Sequence, residues 1–116
     1  MDAGASATLQ AKLIASDGAV NDQFGFSVSV DGNTALVGAN LDDDAGGRSG
    51  SAYVFVRSEG IWSQQAKLTA GDAASDDLFG WSVSISGDTA LVGAPLSTAA
   101  PAGFASGSAY VFELGP

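Results

Sequence analysis

Apolar and polar positions alternate with period two along most of the chain, in short runs separated by Gly, Asp and Asn. Residues 9–15 put Leu9, Ala11 and Leu13 on one side and Gln10 and Lys12 on the other, the pattern of a half-exposed strand. After a polar loop, Phe26, Val28 and Val30 alternate with Ser27 and Ser29, and small hydroxyls between bulky apolar residues suit a strand packed closely on both sides. Asp31-Gly32-Asn33 then fits a tight hairpin turn. Residues 34–39, T-A-L-V-G-A, read as a strand buried on both faces. A second polar loop, 40–50, leads to a strand with Tyr53 and Phe55 facing one way and Ala52, Val54 and Val56 the other. Ser58-Glu59-Gly60 turns the chain, and a fourth strand begins at Ile61. No segment carries apolar residues at i, i+3, i+4 and i+7, so the chain is predicted to be all-β.

The pattern then repeats. F-G-F-S-V-S-V-D-G-N-T-A-L-V-G-A-N, beginning at Phe24, returns from Phe79 as F-G-W-S-V-S-I-S-G-D-T-A-L-V-G-A-P, an offset of 55 that also carries Gln10-Ala11-Lys12-Leu13 onto Gln65-Ala66-Lys67-Leu68. Ser49 to Phe55 recurs as Ser106 to Phe112, now offset by 57, so the second copy holds two extra residues after Pro95. A tandem unit of four short antiparallel strands indicates propeller blades. The predicted fold is a β-propeller of four-stranded antiparallel blades, two per chain. Residues 1–8 form a disordered tail, 9–70 an outermost strand plus the first blade, and 71–116 a second blade of three strands.

These residues resemble the FG-GAP repeat, the blade unit of integrin-α-type propellers. Phe24-Gly25 and Phe79-Gly80 match the F-G; Gly93-Ala94-Pro95 matches the G-A-P, and Gly38-Ala39-Asn40 matches it with Asn for Pro. The resemblance implies that residues 24–30 and 79–85 line the axis and that 9–15 and 62–70 are outermost strands. It gives Phe24, Gly25, Gly38, Phe79, Gly80 and Gly93 structural roles. It departs at one point: the calcium loop that integrin-type blades often carry between their first two strands is reduced here to V-D-G-N-T and I-S-G-D-T. Calcium takes about 6–8 oxygen ligands, more than Asp31 with Asn33, or Asp88, can supply. The chain therefore resembles the shortened, calcium-free class of FG-GAP repeats found in large bacterial surface and secreted proteins, which implies an extracellular or cell-surface location.

Composition narrows the chemistry. Thirteen acidic residues against four basic ones give a net charge of −9, which disfavours nucleic acid and anionic membrane surfaces. There is no Cys and no His, so disulfides, thiolate sites, the commonest general base and the commonest zinc ligand are missing. No apolar run approaches the ~20 residues of a membrane span, and the N-terminus lacks the basic and apolar segments of a secretory signal. The weak metal candidates are Asp17 with Asp22, their counterparts Asp72 and Asp77, and Asp42 with Asp44; as structure, the repeated pairs accept bonds from loop amides. No cofactor is expected, with calcium at these loops the exception to test. Phe26 and Trp81 occupy equivalent positions, read as blade packing or, in a carbohydrate-binding alternative, as sugar-stacking rings between blades. Ser27, Ser29, Ser82 and Ser84 have no His, Lys or acidic partner at motif spacing, so no catalytic residue is assigned.

Two blades cannot close a ring of ~4–8. The expected partner is the chain itself: a cyclic homo-oligomer in which each N-terminal strand completes the neighbour's second blade. Equivalent two-blade chains require an even blade count, so the seven blades usual in the family this chain resembles give way to the neighbouring six or eight, a trimer or a tetramer. The near-identity of the two copies also admits an excised or designed origin.

Overall fold

The computed structural model describes residues 6–42, 47–71, 76–96 and 107–115. Seven strands form two antiparallel sheets. Sheet 1 holds β1 (Phe24–Asp31), β2 (Thr34–Ala39), β3 (Ser51–Ser58) and β4 (Ile61–Leu68) in sequential order. Sheet 2 holds β5 (Ser82–Ser86), β6 (Thr89–Ala94) and β7 (Ser108–Glu113), also sequential. No helix occurs among the described residues. Each sheet is a propeller-blade-like meander, and among the described residues the second holds one strand fewer than the first.

The hairpins follow the sequence closely. Gly32-Asn33 and Gly87-Asp88 are two-residue turns, with Asp31 opposite Thr34 and Ser86 opposite Thr89. Both glycines take positive φ, as the tight turns favoured by twisted strands require. Phe24 pairs with Ala39 but Ser27 with Gly38, so Gly25 and Phe26 bulge out of the ladder, and Gly25 takes φ +94°. The loop before each F-G also repeats as conformation. Asn21 and Asp76, then Gln23 and Leu78, are left-handed at equivalent places, and Phe26 and Trp81 each donate their N–H to the carbonyl three residues back.

The core lies in two layers. Between the sheets, Leu36, Ala52 and Val54 of sheet 1 meet Ile85 and Val92 of sheet 2 and Phe79 just before it, with Ala66 and Leu68 beside them. On the far face of sheet 1, Ala35, Val37, Tyr53 and Phe55 pack with Phe24 and Trp62. The expected burial of T-A-L-V-G-A on both faces holds for β2. It fails for β6, where Thr89 and Leu91 are exposed because no described residue covers that face of sheet 2.

Residues 9–15, expected as an outermost strand, enter no ladder within this chain. A strand exists only by hydrogen-bonding to a neighbour with a free edge, and within the chain no sheet presents one there. The segment is nevertheless placed. Leu13 and Ala15 pack on the far face of sheet 1 as their copies Leu68 and Ala70 pack on sheet 2. Arg57 donates to Gln10 Oε1 at 2.9 Å, and Gln64 Oε1 accepts from Ser16 N at 3.0 Å. The expected disordered tail at 1–8 falls mostly on residues 1–5, outside the described residues.

Candidate functional site

The junction between the sheets is built from the repeated serines and glycines. Ser27 Oγ donates to the carbonyl of Gly80 at 2.8 Å, Ser29 Oγ accepts from the N–H of Ile85 at 3.1 Å, and Asp31 Oδ2 accepts from the N–H of Gly87 at 2.6 Å. The strand alternation that turns Val28 and Val30 one way turns these three toward sheet 2. They satisfy backbone groups on β5 and on the residues that flank it, Gly80 and Gly87. Gly38 and Gly80 make the approach possible. A Cβ on Gly38 would strike the Gly80 carbonyl oxygen, and one on Gly80 the carbonyl oxygen of Ser51. Phe79 is completely buried, bridging in parallel to Gly50 with its N–H on the Ser49 carbonyl at 2.8 Å. The sequence marked the serines as small and the glycines as structural. It missed the bonds across the junction, although Ser at alternate positions in both copies was a signal for them.

A second polar cluster closes the outer end of sheet 1. Tyr53 and Lys67 are cross-strand partners on β3 and β4, which brings their polar tips together. Lys67 Nζ lies 2.6 Å from Asp17 Oδ2 and 2.9 Å from Asp42 Oδ2, the latter carboxylate buried. The Tyr53 hydroxyl sits 2.8 Å from Asp17 and 3.1 Å from Asp42, and with one proton it donates to one of them at a time. Burial first, then the bond to Asp17 and the Asp42 charge, push the Tyr53 phenol well above its ordinary value, with Lys67 opposing. A raised folded-state value means that stability from the protonated phenol is intact below about pH 10 and is lost as pH rises beyond it. In a Tyr110→Phe variant, where Tyr53 is the sole tyrosine, phenolate absorbance should stay low well past pH 10 and rise only as the protein unfolds. A midpoint near 10 with the sheets intact would contradict this burial.

The acidic metal candidates divide. Asp17 and Asp42 are brought together, but around the Lys67 ammonium. Asp22 turns back on its own loop, Oδ2 accepting from Ala19 N at 2.9 Å, as expected of a loop-bonding carboxylate. Its counterpart Asp77 is buried. Asp44 and Asp72 lie outside the described residues. Among the described residues no group of three or more His, Cys, Asp or Glu is placed to hold a metal ion. Thermal melts with and without a chelator should coincide; a fall of many degrees on chelation would reveal a cation in the polar loops.

Phe26 and Trp81 meet across the junction, ring centroids 4.9 Å apart and tilted by 50°, each about half exposed. Six other aromatics repeat as edge-on pairs. Phe24 lies 5.3 Å from Tyr53 and 6.0 Å from Phe55; Phe79 lies 5.4 Å from Tyr110 and 5.9 Å from Phe112. Each F-G phenylalanine thus plugs its own sheet in the same way.

Two successive meanders joined face to face through their innermost strands define a β-propeller-type repeat module. The FG-GAP repeat model matches residues 7–55 and 62–112, nearly the whole chain, and the protein belongs to the FG-GAP repeat family. No curated protein matches the chain. Among the described residues no helix is long and apolar enough to cross a membrane, a statement that does not bear on β-barrels.

Proposed function

We propose that the protein is a non-catalytic propeller module that closes a ring with copies of itself, each N-terminal segment becoming the fourth strand of the neighbour's sheet 2. One observation carries this reading. Leu13 and Ala15 already occupy on sheet 1 the place that Leu68 of β4 and Ala70 occupy on sheet 2, yet among the described residues the segment has no ladder and β7 has no outer neighbour. An open edge of this kind invites pairing. The register of β3 with β4 sets Ala52 against Leu68, Tyr53 against Lys67 and Val54 against Ala66. Transferred to β7, it sets Ala109 against Leu13, Tyr110 against Lys12 and Val111 against Ala11 of the next chain. The N-terminal segment need not leave its own sheet, because β7 is brought alongside it.

Light scattering should give three or four chain masses. Prolines at both Ala11 and Lys12 remove ladder donors from a segment that uses none within its own chain, so they should leave the sheets intact and break the ring. A wild-type monomer at micromolar concentration would sink the proposal. The carbohydrate alternative is not carried forward, since Phe26 and Trp81 are taken up by each other. An extracellular or cell-surface setting accords with the family.

A further inference from the structure

The junction inside the chain has an unused half at each end. Leu36 and Val54, sealed between the sheets at 0% and 3% exposed, are copied by Leu91 and Val111 at 44% and 69%. Across the junction Ile85, 6% exposed, is the copy of Val30, 65% exposed. The first face of each type is covered and the second is bare, although the sequences are nearly the same.

We propose that the bare face of sheet 2 docks on the far face of sheet 1 of a second copy, on the side where Val28 and Val30 stand exposed, head to tail, repeating the internal junction. This rests on the reading that the chain assembles with its own kind, and it names the surfaces and bonds that hold the copies. The commitment to a second copy comes from the complementarity itself. T-A-L-V-G-A is unchanged between β2 and β6, so the outer face of sheet 2 is shaped for what the inner face of sheet 1 already binds. The far face of sheet 1 supplies that shape, with Val28 and Val30 where Val83 and Ile85 stand in sheet 2. Ser82, Ser84, Leu91, Gly93 and Ala109 line a recess of about 190 Å³ on the bare face. Gly93 is the copy of Gly38, and no carbonyl from another sheet stands over it; Gly25, the copy of Gly80, has open space where a Cβ would be.

The polar bridges transfer in the same way. Ser82 Oγ would donate to the Gly25 carbonyl and Ser84 Oγ would accept from Val30 N, as Ser27 and Ser29 do within the chain. The third bridge changes, because Ser86 stands where Asp31 binds Gly87 N. A shorter, neutral acceptor facing Gly32 N makes this the weakest of the three between copies.

Leu91→Arg blocks one face and Val30→Arg the other, both at positions exposed within the chain. Each variant alone should run as a single chain mass with its strand circular dichroism retained. Mixed in equal amounts they should form a two-chain species and nothing larger, since only one intact half remains on each. A contact related by a twofold axis would leave one of the variants dimeric by itself and overturn the inference. Wild-type assembly by both variants would overturn it as well. If in addition the Ala11/Lys12 proline variant falls apart, the strand pairing stands without the face contact. If the proline variant assembles while the arginine variants do not, the face contact stands and the strand reading fails.

Discussion

Alanine at Gly38 is expected to destabilise the protein by about 3 kcal/mol, the upper range for forcing extra volume into a packed interior. Gly38 does not lie in the left-handed region, and alanine is ordinarily at least as good as glycine within a strand. The cost therefore comes from the added methyl alone, which meets the Gly80 carbonyl oxygen and Ser27 Oγ. Backbone cannot give way there without opening the bond from Ser27 to Gly80. The same change at Gly93 meets only Ser82 Oγ of its own sheet, a hydroxyl free to rotate, and should shift stability by less than about 0.5 kcal/mol. Both variants are best compared by denaturant unfolding in chains held apart by Leu91→Arg. Equal effects at the two glycines would mean the sheets are not pressed together at Gly38.

Lys67→Met should cost a similar amount, about 3 kcal/mol, because it leaves the buried Asp42 carboxylate without its cation. Adding Asp42→Asn to that variant should restore part of the loss, and a double-mutant cycle isolates the pair. Arg48 and Asp76 provide the comparison. Their ion pair has a similar length, 2.9 Å, but both side chains are more than half exposed. Water and salt already screen such a pair, so Arg48→Met should change stability by at most about 0.5 kcal/mol. A small effect at Lys67 would show that solvent reaches Asp42 after all.

Much of the fold was legible because both copies state it. Alternation at Phe26 to Val30 and at Ala52 to Val56 assigned the faces, and Gly32 and Gly87 marked the turns. Segment 9–15 shows the limit. Its Gln10-Ala11-Lys12-Leu13 repeats Gln65-Ala66-Lys67-Leu68 of β4, but a ladder is a property of two segments, and periodicity describes only one. The same limit applies at Leu91. Its sequence context equals that of Leu36, and its exposure is set by what lies across from it. Of the candidate chemistry, the loop-bonding role of Asp22 could be read from its repetition. The cluster around Lys67 could not, since Asp17, Asp42 and Tyr53 come from three distant stretches. Only Lys67 carried a trace, as the one lysine in the strand that repeats Lys12.

Lys67 also changes what the protein depends on. A cation held between two carboxylates can come from solution, and then its occupancy follows concentration, competing ions and chelators. An ammonium carried on β4 is tethered, with an effective concentration set by the chain itself. It cannot be diluted away, exchanged for a metal of another size, or lost when the medium changes. The outer end of sheet 1 thus carries its counter-ion as part of its own translation, and that end of the blade folds on the same terms wherever the chain is made.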